Sequence, residues 1–363
     1  MKIAIVAPEN DNHTAPVKWA LEKAGYSAFC WAGVGWTPER QASIVLPNSA
    51  SMRLGPGTLE SGDVVWIRRP EPPLANPNVA EADRKFARGE YRWFSESVMY
   101  LLETLPVRCV NRYSASRMVR NKSVQLLLAH RCGMRVPATL MSNDPSAVKQ
   151  YLDQHSARAI CKAFFPHIWQ KDAGRAVAVT ETFELTQDML PGDDVLTYAP
   201  AIYQQMVVKK FDVRMLLLGS AVYSFALYNP KGAIDWRQDV TQGVVQVEGI
   251  ATPESIRQQV LEFAQKSGIV FGSFDFAVDR EGCWWFLEVN EEGQFLWLDE
   301  FDPKMHVQEK FLAFLTSPDG ATQDVIESRQ SQFPSWKEYL DSPETDQPGE
   351  ELPRDLPEFM STE

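Results

Sequence analysis

Cysteine is sparse in this sequence and badly placed for chemistry. The five (Cys30, Cys109, Cys132, Cys161, Cys283) are odd in number and widely spaced, with no CxxC pair or Cys/His cluster. That pattern argues against a disulfide framework and against a zinc site. Long apolar runs are missing too. No stretch approaches the roughly 20 residues of a membrane span, and the N-terminal run ends at Pro8 after about five residues, short of a signal peptide's hydrophobic region. The expectation is a soluble protein in a reducing, cytoplasmic setting, with no membrane partner. Basic charge is scarce. Of the net charge of −12, the segment Asp341–Glu363 carries −7. A mildly acidic body argues against a nucleic-acid binder. No GxxxxGK[ST] loop and no GxGxxG occurs, which makes P-loop and dinucleotide readings poor. The five histidines (His13, His130, His155, His167, His306) show no triad-like context, and a structural reading suits each.

What is present is an ordinary globular balance over 363 residues, 44% hydrophobic and 23% charged, a length that suggests two or three domains. No internal repeat is visible. Residues 1–105 alternate strands and helices: a buried strand at Lys2–Ala7, a helix at Pro16–Ala24, a strand at Asp63–Ile67 running into Arg68-Arg69-Pro70, and a helix pattern at Ala80–Leu105 with Phe86, Phe94, Val98, Leu101 and Leu102 as core contacts. Residues 106–200 read as a helix over Met118–Arg131, a short strand at Val136–Leu140, a helix from Asp144, a strand at Ala159–Ala163 and half a hairpin at Ala176–Thr182. Residues 201–316 have the clearest strands, at 201–208, 213–219, 222–228, 274–278 and 284–289, with a helix at Pro253–Ser267. Residues 317–363 turn polar, then acidic and proline-rich. One apolar knot (Trp336, Tyr339, Leu340) interrupts them, and disorder is expected beyond 340.

Asp275, Glu288 and Asn290 form the most informative cluster. A strand, a polar turn and a second strand place residues 275 and 288 across from each other, and Glu288 and Asn290 on one face. Two carboxylates and an amide oxygen suit Mg²⁺, a hard cation that also takes phosphate. An exposed acidic hairpin face is the bland alternative. Lys162 sits mid-strand, where a charge needs a partner. Lys122 begins an apolar helix, Arg214 lies in a strand that otherwise reads as core, and Arg237 follows a turn containing Gly232. Any one of these alone is more often a snorkelling or structural residue. Four cations with three oxygen ligands suit a nucleoside triphosphate.

Taken in order, these pieces resemble the ATP-grasp superfamily of carboxylate–amine ligases over about residues 105–315. Lys122 looks like the family's first phosphate lysine and Lys162 its second. Ile202-Tyr-Gln-Gln205-Met206-Val207 resembles the hinge holding adenine, Asp212-Val-Arg214 its Asp-x-Arg, and Asp275, Glu288 and Asn290 its magnesium ligands. Within the superfamily the likeness is to the microviridin-type peptide macrocyclases, carried by Trp66-Ile-Arg68-Arg69-Pro70, Asp235-Trp-Arg237 and Asn290-Glu-Glu-Gly-Gln-Phe-Leu-Trp297. Gln205 stands where the family commonly has glutamate, Glu291 where the subgroup often has proline, and the loop after Lys162 lacks a glycine-rich phosphate lid.

The resemblance implies an α+β, three-lobed ATP-grasp fold using ATP and Mg²⁺. Arg214 and Arg237 would act catalytically, Lys122, Lys162, Gln205, Met206 and Val207 would hold nucleotide, and Arg68 and Arg69 would orient substrate. The expected reaction activates a peptide carboxylate as an acyl phosphate and joins it to an amine or hydroxyl. Partners would be a peptide or small carboxylate, a precursor leader met at Ala176–Asp194, and a second copy in a homodimer. The alternatives are a ligase of free amino acids or small metabolites, and a non-catalytic nucleotide-binding module.

Overall fold

Continuous apolar runs such as Ile3–Val6 suit strands covered on both faces, and the first lobe is built that way. The computed structural model describes residues 1–46, 52–155, 158–164, 168–171, 175–179, 182–232, 234, 243–317 and 321–345, with the side chains of 168–171 and 175–179 excluded. In the first lobe β1 (Lys2–Val6) lies between β2 (Ser27–Cys30) and a later strand, with a small antiparallel sheet of β3 (Ala42–Ile44), β4 (Met52–Leu54) and β5 (Gly57–Leu59) beside it. That later strand is β6 (Val64–Ile67), followed outward by β7 (Arg108–Val110), and the four-stranded sheet is parallel throughout. Helix Thr14–Lys23 packs on one face, sharing a core with helix Val307–Leu315. On the other face lie the β3–β5 sheet, through Met52, Leu54 and Leu59, and helix Arg84–Leu102, mainly its end, through Val98, Met99 and Leu102. Phe86 and Phe94, expected in the core, are exposed, because the helix starts outside the sheet's edge.

In the central lobe β8 (Thr139–Ser142), β9 (Arg158–Lys162), β12 (Phe183–Thr186) and β13 (Ala201–Gln204) form one antiparallel sheet, ordered β12-β9-β13-β8. The expected hairpin is present as β10 (Ile168–Lys171) and β11 (Arg175–Val179). The single helix expected over 118–131 is two, Tyr113–Val119 and Lys122–Arg131. Asn121 explains the break: its side chain accepts from the N–H groups of Ser123 and Val124 at 3.1 and 3.3 Å, an N-cap that makes Lys122 the first helical residue.

The third lobe is an antiparallel sheet of β14 (Lys209–Leu218), β15 (Ala221–Tyr228), β16 (Gln246–Ile250), β17 (Phe271–Asp279) and β18 (Trp284–Asn290), ordered β16-β15-β14-β17-β18. Val213, Met215, Leu217, Phe274 and Phe276 pack one face against helix Glu254–Ser267 through Val260 and Phe263. The other face divides. Leu216, Leu218 and Phe271 are buried against helix Val307–Leu315 and the first lobe, whereas Asp212, Asp275 and Ala277 line an open cleft.

Beyond Leu315 the chain returns to the first lobe rather than remaining solvated: helices Gln323–Arg329 and Trp336–Leu340 follow, and Tyr339 meets Trp19 edge-on at 5.4 Å. Leu340, grouped with them from sequence, is half exposed. The acidic tail from 346 onward lies outside the described residues.

Asp299 accepts from the N–H groups of Val307 and Gln308 at 2.8 and 2.9 Å, satisfying the start of helix Val307–Leu315. Burial nevertheless pushes its carboxyl up to about 7, from an ordinary 3.8. Between those values the native state holds a proton that the unfolded chain does not. This contribution to stability is therefore whole below about 3.8 and is lost as the pH rises through about 7. Asp299→Asn, which keeps an acceptor oxygen, should flatten the fall in Tm between pH ~4 and ~7 that this group produces. Superimposable Tm–pH profiles for variant and wild type would contradict the assignment.

Candidate active site

The carboxylates of Asp275 and Glu288 are direct cross-strand partners, and Ser273 faces Asn290 two positions along. The register slips between these pairs and the next, where Phe276 meets Phe286 and leaves Leu287 as the extra residue. A bulge turns two consecutive side chains to one side, and here both Leu287 and Glu288 line the cleft while Phe286 and Val289 stay in the core. At the end of β18, Asn290 Oδ1 accepts from the N–H groups of Glu292 and Gly293 at 3.0 and 3.1 Å, so the strand ends in a tight turn. Gly293 has φ +61°, and a Cβ there would lie 2.4 Å from the Phe271 ring, so glycine is required.

The cleft, about 400 Å³, lies between the central and third sheets. Lys162, Gln205, Met206, Val207, Asp275 and Glu288 all line it, and Lys122 joins Lys162 and Glu288 at its narrow end. Lys122 Nζ donates to Glu288 Oε2 at 3.1 Å. Lys162 Nζ donates to Gln204 Oε1 at 2.9 Å, and the Gln204 amide nitrogen donates to Thr139 Oγ1 at 3.0 Å. Arg214 forks onto Asp275, with Nη1 at 2.8 and 3.0 Å from the two carboxylate oxygens, while Nη2 donates to the Gln294 carbonyl at 2.8 Å. Asp212 accepts from Lys209 Nζ at 2.7 Å. Gln205 ties the hinge to the residue just before β8: its N–H donates to the Ala138 carbonyl at 2.8 Å, and its side-chain oxygen accepts from the Ala138 N–H at 3.3 Å.

Arg68 and Arg69 sit apart from this cleft. Arg68 is 1% exposed, donates to the Glu292 carbonyl at 2.9 Å, and has Asp11 and the His13 ring at 3.5 and 3.3 Å. Arg69 is half-buried, 3.8 Å from Asp11 and 3.6 Å from Glu292. Both brace the first lobe against the loop that Asn290 begins. Burial pushes the Asp11 carboxyl up, but Arg68, the His13 backbone N–H and Arg69 outweigh it and hold it at about 2. Burial, then Arg68, pushes the His13 ring well below its ordinary value, so it is neutral, and its Nε2 accepts from the Phe295 N–H at 2.9 Å. Arg120 completes the brace with Glu291 at 2.8 Å and with Glu292. Arg237 lies outside the described residues.

Sequence reasoning gave Gln204 only as part of the hinge, Glu291 only as a departure and His13 only a structural reading, and assigned no role to Arg120. Gln204 carried one usable signal, a polar residue two positions along its strand from Ile202, which pairs with Lys162. The others pair across 171 or more positions, and nothing local announces such a contact.

Among the described residues no group of three or more His, Cys, Asp and Glu could hold a metal, so an ion at Asp275 and Glu288 would draw its further donors from the Asn290 amide or from outside the protein. The donor chemistry fits Mg²⁺. Both carboxylates already hold cations, Arg214 and Lys122. Opposite Asn290, the buried Ser273 hydroxyl has no hydrogen-bond partner among the described residues, a polar spot that a hydrated ion could satisfy.

No protein-family model matches the chain, and no curated protein matches it. Solved structures do. An ATP-grasp ligase from Chryseobacterium gregarium, described as RiPP-associated and in complex with ADP and a leader and core peptide, aligns at a TM-score of 0.74 and 22% identity, covering 89% of this chain and 99% of its own. The macrocyclase MdnC of Microcystis aeruginosa, bound with precursor peptide MdnA, aligns at 0.70 and 22% identity over 87% and 99%. D-alanyl-alanine synthetase A of Vibrio cholerae aligns at 0.54 and 15% identity over 91% and 98%. The fold is the ATP-grasp fold.

Proposed function

We propose that the chain is an ATP-dependent, ADP-forming ligase that activates a side-chain carboxylate of a ribosomally made peptide as an acyl phosphate and joins it to an amine or hydroxyl. The observation that carries this is the cross-strand Asp275–Glu288 pair facing Lys122 and Lys162 in one cleft beside the Gln205–Val207 hinge. Asp275, Glu288 and Asn290 would hold Mg²⁺, which when bound neutralises phosphate charge during transfer. Lys122 and Lys162 would then exchange Glu288 and Gln204 for phosphate oxygens, and the hinge backbone would hold adenine. Arg214, a planar donor locked by Asp275 and the Gln294 carbonyl, is set to face charge developing on the acyl group. Arg237 is assigned the same task from sequence.

No protein nucleophile is needed. The carboxylate oxygen takes the γ-phosphoryl group and ADP leaves; the attacking amine or hydroxyl then expels phosphate and loses its proton. Peptide is favoured over free amino acid because the ligases of Chryseobacterium and Microcystis are bound to peptides and align better than the D-alanyl-alanine synthetase. Exposed Phe183, Met189 and Val195, which follow the β10–β11 hairpin in the chain, support the leader surface expected at Ala176–Asp194. Self-association of two copies is part of the proposal. The lobes are proposed to divide near 105, 200 and 316. No helix among the described residues is long and apolar enough to cross a membrane, and a cytoplasmic site of action is part of the proposal.

The test offers peptides rich in Thr, Ser or Lys together with Asp and Glu, with Mg²⁺ and ATP. ADP release accompanied by loss of one water mass per bond is the expected result. Nucleotide turnover driven only by free amino acids would replace the peptide reading, and no turnover with either would leave a nucleotide-binding module. In the same assay, Arg69→Lys should raise the peptide KM and leave the ATP KM unmoved if Arg69 orients substrate. Parallel loss of stability and activity would make it a brace only.

A further inference from the structure

His13 belongs to the first lobe, where it opens helix Thr14–Lys23, and it is 8% exposed. A polar ring buried to that degree needs partners, and it finds them in the loop after β18. Nε2 accepts from the Phe295 N–H at 2.9 Å and from the Leu296 N–H at 3.3 Å. The ring also packs against the Phe295 ring, with centroids 5.0 Å apart. Arg69 and Arg120 meet the same loop earlier, at Glu291 and Glu292 before Gly293. His13 meets it beyond that glycine.

The position of this contact matters because of what shares the peptide. The Phe295 N–H and the Gln294 carbonyl belong to one planar unit, so fixing the N–H fixes the direction in which the carbonyl points. That carbonyl accepts from Arg214 Nη2 at 2.8 Å. Arg214 in turn forks onto Asp275 through Nη1. One hydrogen-bond chain therefore runs from Arg214 through the 294–295 peptide to His13. The peptide accepts at one end and donates at the other, so each bond polarises the next in the same sense. Trp297 Nε1 donates to the same carbonyl at 3.0 Å, but Trp297 lies in the loop and moves with it. His13 ties the peptide to a different lobe.

We infer that His13 is a positioning residue for the ligase: by holding the Phe295 N–H it aims the Gln294 carbonyl, and through that carbonyl it orients the Arg214 guanidinium. The inference rests on the role proposed above for Arg214.

Peptide turnover by the full-length chain with Mg²⁺ and ATP tests it, through two polar replacements. Glutamine carries its side-chain oxygen about where Nε2 stands, whereas the asparagine oxygen reaches only the place of Nδ1. His13→Gln should keep kcat within about threefold of wild type. His13→Asn leaves the Phe295 N–H unpaired and should lower kcat by at least about tenfold. The KM for ATP and the rise in Tm that ATP produces should be the same in both variants as in the wild type. A residue that acts through Arg214 has little left to lose once Arg214 is altered, so adding His13→Asn to Arg214→Lys should cost less than about threefold more. Equal kcat for His13→Gln and His13→Asn would overturn the inference and leave the ligase reading standing. So would a full tenfold further loss on the Arg214→Lys background. A wild type that turns over neither peptide nor amino acid would instead remove the ligase reading, and this inference with it.

Discussion

Glu288→Gln is expected to cut ADP release by at least about 100-fold with the fold intact, because it removes charge at the point where phosphoryl transfer concentrates it. Glu288 is fixed from two directions. Its strand partner is Asp275, and the Leu287 bulge turns it into the cleft, where Lys122 meets it at 3.1 Å. Glutamine has the same shape and can still accept from Lys122, so the variant removes charge without emptying the site. Asn290→Ala goes further, since the Asn290 oxygen also holds the turn through the Glu292 and Gly293 N–H groups. Its loss of turnover should therefore come with some fall in Tm, whereas Glu288→Gln should show none. Near-normal ADP release by Glu288→Gln in saturating Mg²⁺ would remove the metal assignment. A fall in Tm equal for both variants would show that Glu288 matters to the fold and not to the chemistry.

The strands of the third lobe were legible because Val213, Met215 and Leu217 alternate with residues of the opposite face, and because Asp275 and Glu288 interrupt otherwise apolar runs. The offset of 13 positions between the carboxylates was readable as a cross-strand pair, and the register bears it out. The bulge was not readable, since nothing in Phe286-Leu287-Glu288 distinguishes a slipped strand from a regular one. Helix Arg84–Leu102 shows a second limit. Its apolar spacing is the same whether a face meets the core or solvent, so Phe86 and Phe94 were expected inside and lie outside. The split at Asn121 was missed for a different reason: helix periodicity continues across a cap when helical residues stand on both sides. Arg68 shows the limit of reading charge locally. An arginine leaving a strand into a proline turn could be read as a substrate contact or as an interdomain bridge, and its contact with the Glu292 carbonyl, made only by the closure of two lobes, was not visible in the local sequence.

Lys162→Ala is expected to abolish most of the thermal stabilisation that Mg²⁺ and ATP confer on the wild type. A ligand at about 100 times its Kd adds roughly 2.7 kcal/mol to the native state, which corresponds to a rise in Tm of about 2–4 °C for a domain of this size class. Lys162 ends β9 at the cleft and shares its narrow end with Lys122 and Glu288, so in the proposed site its ammonium would meet phosphate rather than the ring of the nucleotide. Its hold on Gln204 Oε1 at 2.9 Å keeps the long side chain in one orientation before nucleotide arrives, and Gln204 is itself tied to Thr139. Truncation to alanine removes the charge and leaves Gln204 short of one donor, so apo stability should fall modestly while the ATP-induced shift collapses. The two effects are read separately, as apo Tm and as the shift. A wild type that ATP does not stabilise would undo the nucleotide reading of the whole cleft. A Lys162→Ala variant that keeps the full shift would leave ATP in the cleft but take Lys162 off its phosphates, with Lys122 then the lysine that carries them.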